Sequence, residues 1–304
     1  GRATARDVAS VQMARNLVQE IQTQLLQFDF RNGPLRRKFD GTKYSLKTLE
    51  TLLYELSVTG MEMEQEPVSK KIKMDLSILL DHQELESLRK RMEHRDELRE
   101  TLIKKCRDGQ KAAKQSIFAL HRGDRTKAEK LIGQCETCIT RDLEPIVKEE
   151  PPLRYGSFSN VLEEYVEAKL FHAWLFGKDG KTTESGASGE LLLPQDFSIH
   201  LEPEEYLGGL CDLTGEIGRY AVQRGTARDK DEVKLSLHSS STVLEELQGM
   251  ERIPGGVHKK MDALRRSVEK LERMLYEMSL SEATGRQMKT STTESMEVEN
   301  QGGE

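Results

Sequence analysis

Aromatic residues are scarce in this 304-residue sequence, at 5%, and there are only 8 prolines and 4 cysteines. So few aromatics argue against a β-sandwich, whose strands draw on aromatic and β-branched side chains. The cysteines (Cys106, Cys135, Cys138 and Cys211) are too few and too scattered for a disulfide framework, and a reducing compartment is expected. No apolar run approaches ~20 residues and no secretory leader is visible, so neither a membrane span nor export by that route is expected. A global positive charge is also missing. The net charge is −6, so any nucleic-acid contact has to come from a local basic face.

Charge itself is abundant, at 32% of residues. Together with few prolines, this favours long amphipathic helices with solvated faces. The chain is long enough for one large or two ordinary domains. Helical periodicity runs over 75–122, stops at Gly123-Asp124, resumes over 125–150 and ends at Pro151-Pro152. A third helical stretch covers 157–176. The segment 177–189, rich in Gly, Ser, Thr and charge, reads as an exposed loop. Helix resumes over 202–223, where Glu202-Pro203-Glu204-Glu205 suits a first turn. The end of the chain, 282–304, lacks apolar periodicity and reads as a disordered tail.

The two ends of the chain repeat one another. At a constant offset of 222 positions (226 minus 4), Thr4-Ala5-Arg6-Asp7 falls on Thr226-Ala227-Arg228-Asp229. Gly33 falls on Gly255, Lys38 on Lys260, Asp40 on Asp262, Ser45 on Ser267, and Leu53-Tyr54-Glu55 on Leu275-Tyr276-Glu277. Each copy carries an apolar helical stripe: Leu46, Leu49, Leu53 and Leu56 in one, Val268, Leu271, Leu275 and Met278 in the other. The repeat predicts two helical hairpins, 7–59 and 229–281. The organisation expected is therefore an N-terminal hairpin (1–60), a polar linker (61–74), a complete helical domain (75–281) and the tail (282–304). Lys70-Lys71-Ile72-Lys73 in the linker reads either as solvated charge or as a nuclear-localisation signal, so the expected location is cytoplasmic with a nuclear option.

Two helices each present a carboxylate pair at helical spacing. Glu164 and Glu167 lie three apart beside Tyr165, Val166, Leu170 and Phe171, and Asp212 and Glu216 lie four apart beside Leu207, Leu210, Leu213 and Ile217. Each pair alone could simply face solvent. If the two helices pack together, four carboxylates converge and repel unless protons or a cation intervene. An oxygen-only site without His or Cys suits Mg²⁺ or Mn²⁺, which can activate water and stabilise charge on a phosphodiester. Cys135-Glu136-Thr137-Cys138 has the spacing of a zinc or redox motif, but no second pair or nearby His completes a site. Lys111, Lys114, His121 and Arg122 stand at roughly helical spacing as candidate phosphate contacts, and Arg36, Arg37, Lys38 and Lys43 form a second basic cluster.

Several of these stretches resemble the translin superfamily, in particular its translin-associated factor X (Trax) branch. They are Glu164-Tyr165-Val166-Glu167-Ala168, Tyr206-Leu207-Gly208-Gly209-Leu210-Cys211-Asp212-Leu213-Thr214-Gly215-Glu216 and Lys114-Gln115-Ser116-Ile117-Phe118-Ala119-Leu120-His121-Arg122, and the resemblance covers about 75–280. Asp-Leu-Thr-Gly-Glu discriminates most, because translin proper lacks that aspartate. Residues 1–60, with Pro34-Leu35-Arg36-Arg37-Lys38-Phe39-Asp40, are instead similar to the C-terminal hairpin of translin. The resemblance implies an all-α, translin-like antiparallel bundle of about seven helices with an additional N-terminal hairpin. It further implies that Glu164, Glu167, Asp212 and Glu216 hold a catalytic Mg²⁺ (or Mn²⁺). The implied activity is a metal-dependent endoribonuclease cutting single-stranded RNA, within a hetero-oligomer containing translin-like subunits, in passenger-strand or tRNA-fragment processing. The alternatives are a non-catalytic single-stranded nucleic-acid scaffold and a helical adaptor. With two hairpins but one set of preceding helices, the spare hairpin is expected either to dock on a neighbouring subunit or to stand beside the domain as the remnant of a missing translin-like partner.

Overall fold

The computed structural model describes residues 8–58, 81–180 and 186–284, and these residues are helical throughout apart from turns and connections. The α-helices are α1 (Val8–Leu25), α2 (Pro34–Val58), α3 (His82–His121), α4 (Arg125–Thr137), α5 (Glu144–Glu149), α6 (Ser157–Phe176), α7 (Pro203–Thr226), α8 (Lys230–Gly249) and α9 (Gly255–Thr284). The expected all-α fold is the one observed, and α3 to α9 supply the seven helices of the bundle. None of the described helices is long and apolar enough to cross a membrane.

The chain divides into two compact units, Gly1–Leu98 and Arg99–Glu304, with the division inside α3. The linker expected at 61–74, with its basic run, lies outside the described residues, as do 181–185 of the 177–189 loop and 285–304 of the tail. The last turn of α9 carries the helix to Thr284, two residues past the expected start of the tail at 282.

In the first unit, α1 and α2 form a hairpin. Phe28, Phe30 and Phe39 close its turn, with Phe28 and Phe30 stacked at 5.6 Å and Phe30 5.0 Å from Phe39. Arg31 adds an ion pair to Asp96 at 2.9 Å. Shifted by 222 positions, α1 and α2 fall on α8 and α9. The apolar stripes fare differently. Val268, Leu271 and Met278 are buried, whereas Leu46, Leu49, Leu53 and Leu56 are only half-buried.

The second unit is organised around α6. Phe158, Val161, Leu162, Tyr165, Val166, Leu170, Phe171 and Trp174 are all essentially inaccessible, so this helix is apolar on nearly every side and sits in the core. It packs on α4 and α7, and α7 in turn packs on α8 and α9. The approach of α6 to α7 is close because Gly208 and Gly209 face it. A Cβ at Gly209 would stand 2.7 Å from the Glu163 carbonyl oxygen and 2.7 Å from a Val166 methyl, and one at Gly208 would meet the Glu163 side chain at 2.7 Å.

Helix ends follow local chemistry. Asp124 caps α4 by accepting from the Lys127 N–H at 3.1 Å, and Asp229 caps α8 by accepting from Glu232 at 3.3 Å. At the start of α7 the Glu205 carboxylate accepts from the Glu202 N–H at 2.8 Å. Arg154 also pairs with that carboxylate, at 2.6 Å. The one departure from the expected helices falls within 125–150, where the chain widens into a π-helical turn, Cys138–Leu143, before α5. The reason is Pro145. Its ring excludes the carbonyl four residues back, and the Glu144 N–H bonds instead to Ile139, five residues back.

Candidate metal and nucleic-acid site

The first carboxylate pair follows from α6. Positions 164 and 167 share the face that α6 turns toward α7, and positions 212 and 216 share the facing side of α7. All four acids line one pocket of about 540 Å³, with Lys114, Ile117 and Phe118 from α3, Arg219 from α7 and Lys260, Ala263 and Leu264 from α9.

Glu167 is the innermost carboxylate, 9% exposed. Burial pushes its pKa up to about 8, and the charges of Asp212, Glu164 and Glu216 push the same way against the opposing Lys260. The other three acids each meet a partner side chain of the protein. Glu164 pairs with Lys114 at 2.9 Å, Asp212 with Lys260 at 2.6 Å, and Glu216 with His121, with Arg219 a further 3.7 Å away. With these pairs in place, no group of three or more His, Cys, Asp or Glu side chains among the described residues is arranged to hold a metal ion.

The donor set nonetheless fits a hard divalent cation. It is built of carboxylate oxygens, and Glu167 makes no ion pair among the described residues and is held neutral around pH 7 by its surroundings. Lys114, with its side chain 65% exposed, could leave Glu164 for solvent at small cost. Lys260 has a seat apart from Asp212, 2.7 Å from Glu163 and 3.3 Å from the Gly208 carbonyl.

The four residues grouped by spacing as phosphate contacts separate in the structure. Lys111 and Lys114 are exposed on α3 and Arg122 is exposed just past its end, and Lys114 lines the pocket. His121 does not belong with them. Its side chain is 3% exposed, its ring lies 4.8 Å from that of Phe171, and its Nε2 meets Glu216. That burial follows from a one-residue step along the helix: position 121 is turned about 100° from position 122, toward α6 and α7. In the first unit, Arg36 and Lys43 both pair with Asp40, at 3.2 and 3.3 Å.

Lys260, Glu163, Phe118 and Arg219 escaped the sequence reading. Lys260 had left a trace, since its counterpart Lys38 is among the identities of the repeat. Phe118 lies four residues from both Lys114 and Arg122, a spacing that places it on their face of α3. Burial disfavours the thiolate form of the cysteines. Burial raises the Cys106 and Cys135 thiols to about 12, and Cys138 is raised as well, chiefly by burial.

Solved structures with this fold include apo-NeC3PO (TM-score 0.54, 18% identity, covering 64% of this chain and 96% of that one). AfC3PO aligns with a TM-score of 0.55 at 23% identity over 66% of this chain and 99% of its own, and an AfC3PO–duplex RNA complex with 0.53 at 23% identity over 66% and 98%. In sequence, the chain is 29% identical over 206 residues to the Translin-associated protein X homolog of Schizosaccharomyces pombe, spanning 62% of this chain and 84% of that protein. The sequence model of the translin family matches residues 97–282, the stretch that carries α6, α7, α9 and every pocket residue named above. With more than half of its length inside that match, the chain belongs to the translin family.

Proposed function

We propose that this chain is a metal-dependent endoribonuclease subunit that cuts single-stranded RNA in a hetero-oligomer with translin-like subunits. The observation that carries the reading is the gathering of four carboxylates in one open pocket, with Glu167 raised to about 8 first by its burial and then by the other three. Without a ligand to balance it, such a cluster costs stability, and functional sites are where that cost is kept. Glu164, Glu167, Asp212 and Glu216 would hold Mg²⁺ or Mn²⁺. The chemistry such an ion supplies when bound is charge neutralisation at a phosphodiester and a lowered pKa for water.

The protein's own groups supply the rest. Lys260, anchored by Glu163 and Gly208, keeps a positive charge at the pocket wall. Lys114 and Arg219 add cations where phosphates would enter. His121 fixes the Glu216 carboxylate from the buried side. Support for RNA as the ligand comes from the fold: AfC3PO, which shares it, has a solved structure as a duplex RNA complex.

The test is cleavage of a single-stranded RNA with and without Mg²⁺, for wild type and Asp212→Asn, with a translin-like partner subunit present. Cleavage is expected to need both Mg²⁺ and Asp212, with RNA binding largely retained in the variant, because binding rests on Lys and Arg. Equal cleavage by the variant in metal-replete buffer would sink the reading. A second reading, a non-catalytic nucleic-acid scaffold, is favoured by the three acids already paired with Lys114, Lys260 and His121. It predicts RNA binding with no Mg²⁺-dependent cleavage.

A further inference from the structure

We infer that Phe118 is a stacking platform for an unpaired nucleobase, which makes the strand recognised at this pocket a single strand. The inference takes its substrate class from the ribonuclease reading above.

Phe118 is out of place as a core residue. Its neighbours Ile117, Ala119 and Leu120 are buried, whereas Phe118 is 48% exposed on the opposite side of α3. An aromatic ring half in water forgoes part of the stabilisation that burial brings and is accessible to a ligand. Lys111, Lys114, Phe118 and Arg122 are spaced three, four and four residues apart and all are exposed, so α3 and the turn that follows it present one stripe of cation, cation, ring, cation about 16 Å long.

Two guanidinium groups lie over the ring, so a base reaches it by stacking on a guanidinium or by taking the place of one. The Arg122 Cζ stands 4.4 Å from the ring centroid and the Arg219 Cζ 5.9 Å. A base can stack on the ring or on either guanidinium plane, while the same cations neutralise the phosphates on each side of it. Position completes the argument. Phe118, Lys114 and Arg219 line the pocket that holds the four acids. A strand with one base on Phe118 therefore brings an adjacent phosphate to the mouth of that pocket. The acids alone would repel it, and the cationic rim offsets the repulsion.

The occupant follows from this chemistry. Every base has a π-face, so stacking here carries little sequence preference, but a base inside a duplex offers no free face. The other use of an exposed ring is a subunit contact. Interface cores are depleted of lysine and of acidic residues, however, and this ring lines one pocket with Lys114 and the four acids.

The experiment uses the full chain, a single-stranded RNA carrying one 2-aminopurine, and EDTA to prevent cleavage, with Phe118→Ala and Phe118→Trp beside wild type. Wild type is expected to quench the probe. Phe118→Ala should lose the quench and bind about 10-fold more weakly, and Phe118→Trp should keep both. A fully paired duplex should bind wild type and Phe118→Ala alike. Unchanged affinity and quench in Phe118→Ala would overturn the inference, as would an absence of single-strand binding by wild type. A change in oligomeric state on size exclusion with the quench intact would also overturn it, in favour of a subunit contact. Because the readout needs no cleavage, the two readings part cleanly. A Phe118-dependent quench without Mg²⁺-dependent cleavage keeps the platform and removes the nuclease, and cleavage indifferent to Phe118 does the reverse.

Discussion

Glu167→Gln should stabilise the metal-free protein, and the gain should grow with pH. In the folded chain the carboxyl is pushed from its ordinary 4.5 up to about 8, first by burial and then by Asp212, Glu164 and Glu216. Between those two values the folded state binds more protons than the unfolded state, so this group makes stability fall as pH rises through the window. A shift of 3.5 units (8 minus 4.5) at about 1.36 kcal/mol per unit sets a ceiling of about 5 kcal/mol above pH 8. Relaxation of the site and entry of water bring the expected gain to about 2–5 kcal/mol. Glutamine keeps the shape and drops the ionisation, so wild type and variant should be nearly equal at pH 4.5 and diverge until the gap levels off above pH 8. Urea unfolding in EDTA, followed by tryptophan fluorescence, reads this directly, because Trp174 is the chain's one tryptophan and is buried in α6, the helix that carries Glu167. Parallel stability curves from pH 4.5 to 9 would refute the reasoning. Added Mg²⁺ at pH 8 should close the gap by stabilising wild type alone, by an amount set by its dissociation constant.

The packing predicts three further results. Gly209→Ala pushes a methyl against the Glu163 carbonyl and Val166, and should cost about 1–3 kcal/mol and lower Mg²⁺ affinity by spreading α6 from α7, measurable by denaturation and calorimetry. Arg154→Met strands the buried Glu205 carboxylate and should cost about 3–5 kcal/mol at pH 8. Since burial already raises Glu205, that loss should shrink toward pH 5, and a pH-independent loss would contradict it. Leu271→Ala should cost about 2–5 kcal/mol, whereas Leu49→Ala, its half-buried counterpart, should cost less than half as much in unfolding of the isolated chain. The gap between them should narrow in any assembly that covers the α2 stripe.

The helices were legible because what makes them is local. The 157–176 stretch expected from periodicity is α6 residue for residue, ended by Gly177, whose φ of 80° suits glycine. The 222-residue offset likewise carried α8 and α9 back onto α1 and α2 without a gap. Glu164, Glu167, Asp212 and Glu216 could be nominated from spacing and resemblance, since a shared helical face depends only on 3.6 residues per turn.

What those acids meet could not be read the same way. Lys260 reaches Asp212 from 48 residues away, and His121 reaches Glu216 from 95. The burial of Glu167, the removal of His121 from the basic stripe and the exposure of Phe118 were all decided by how closely α6 and α7 approach and where α3 and α9 lie against them. Periodicity assigns a residue to a face. Only the packing of one helix on another decides whether that face meets a carboxylate, a lysine or water, and hence what charge its residues carry.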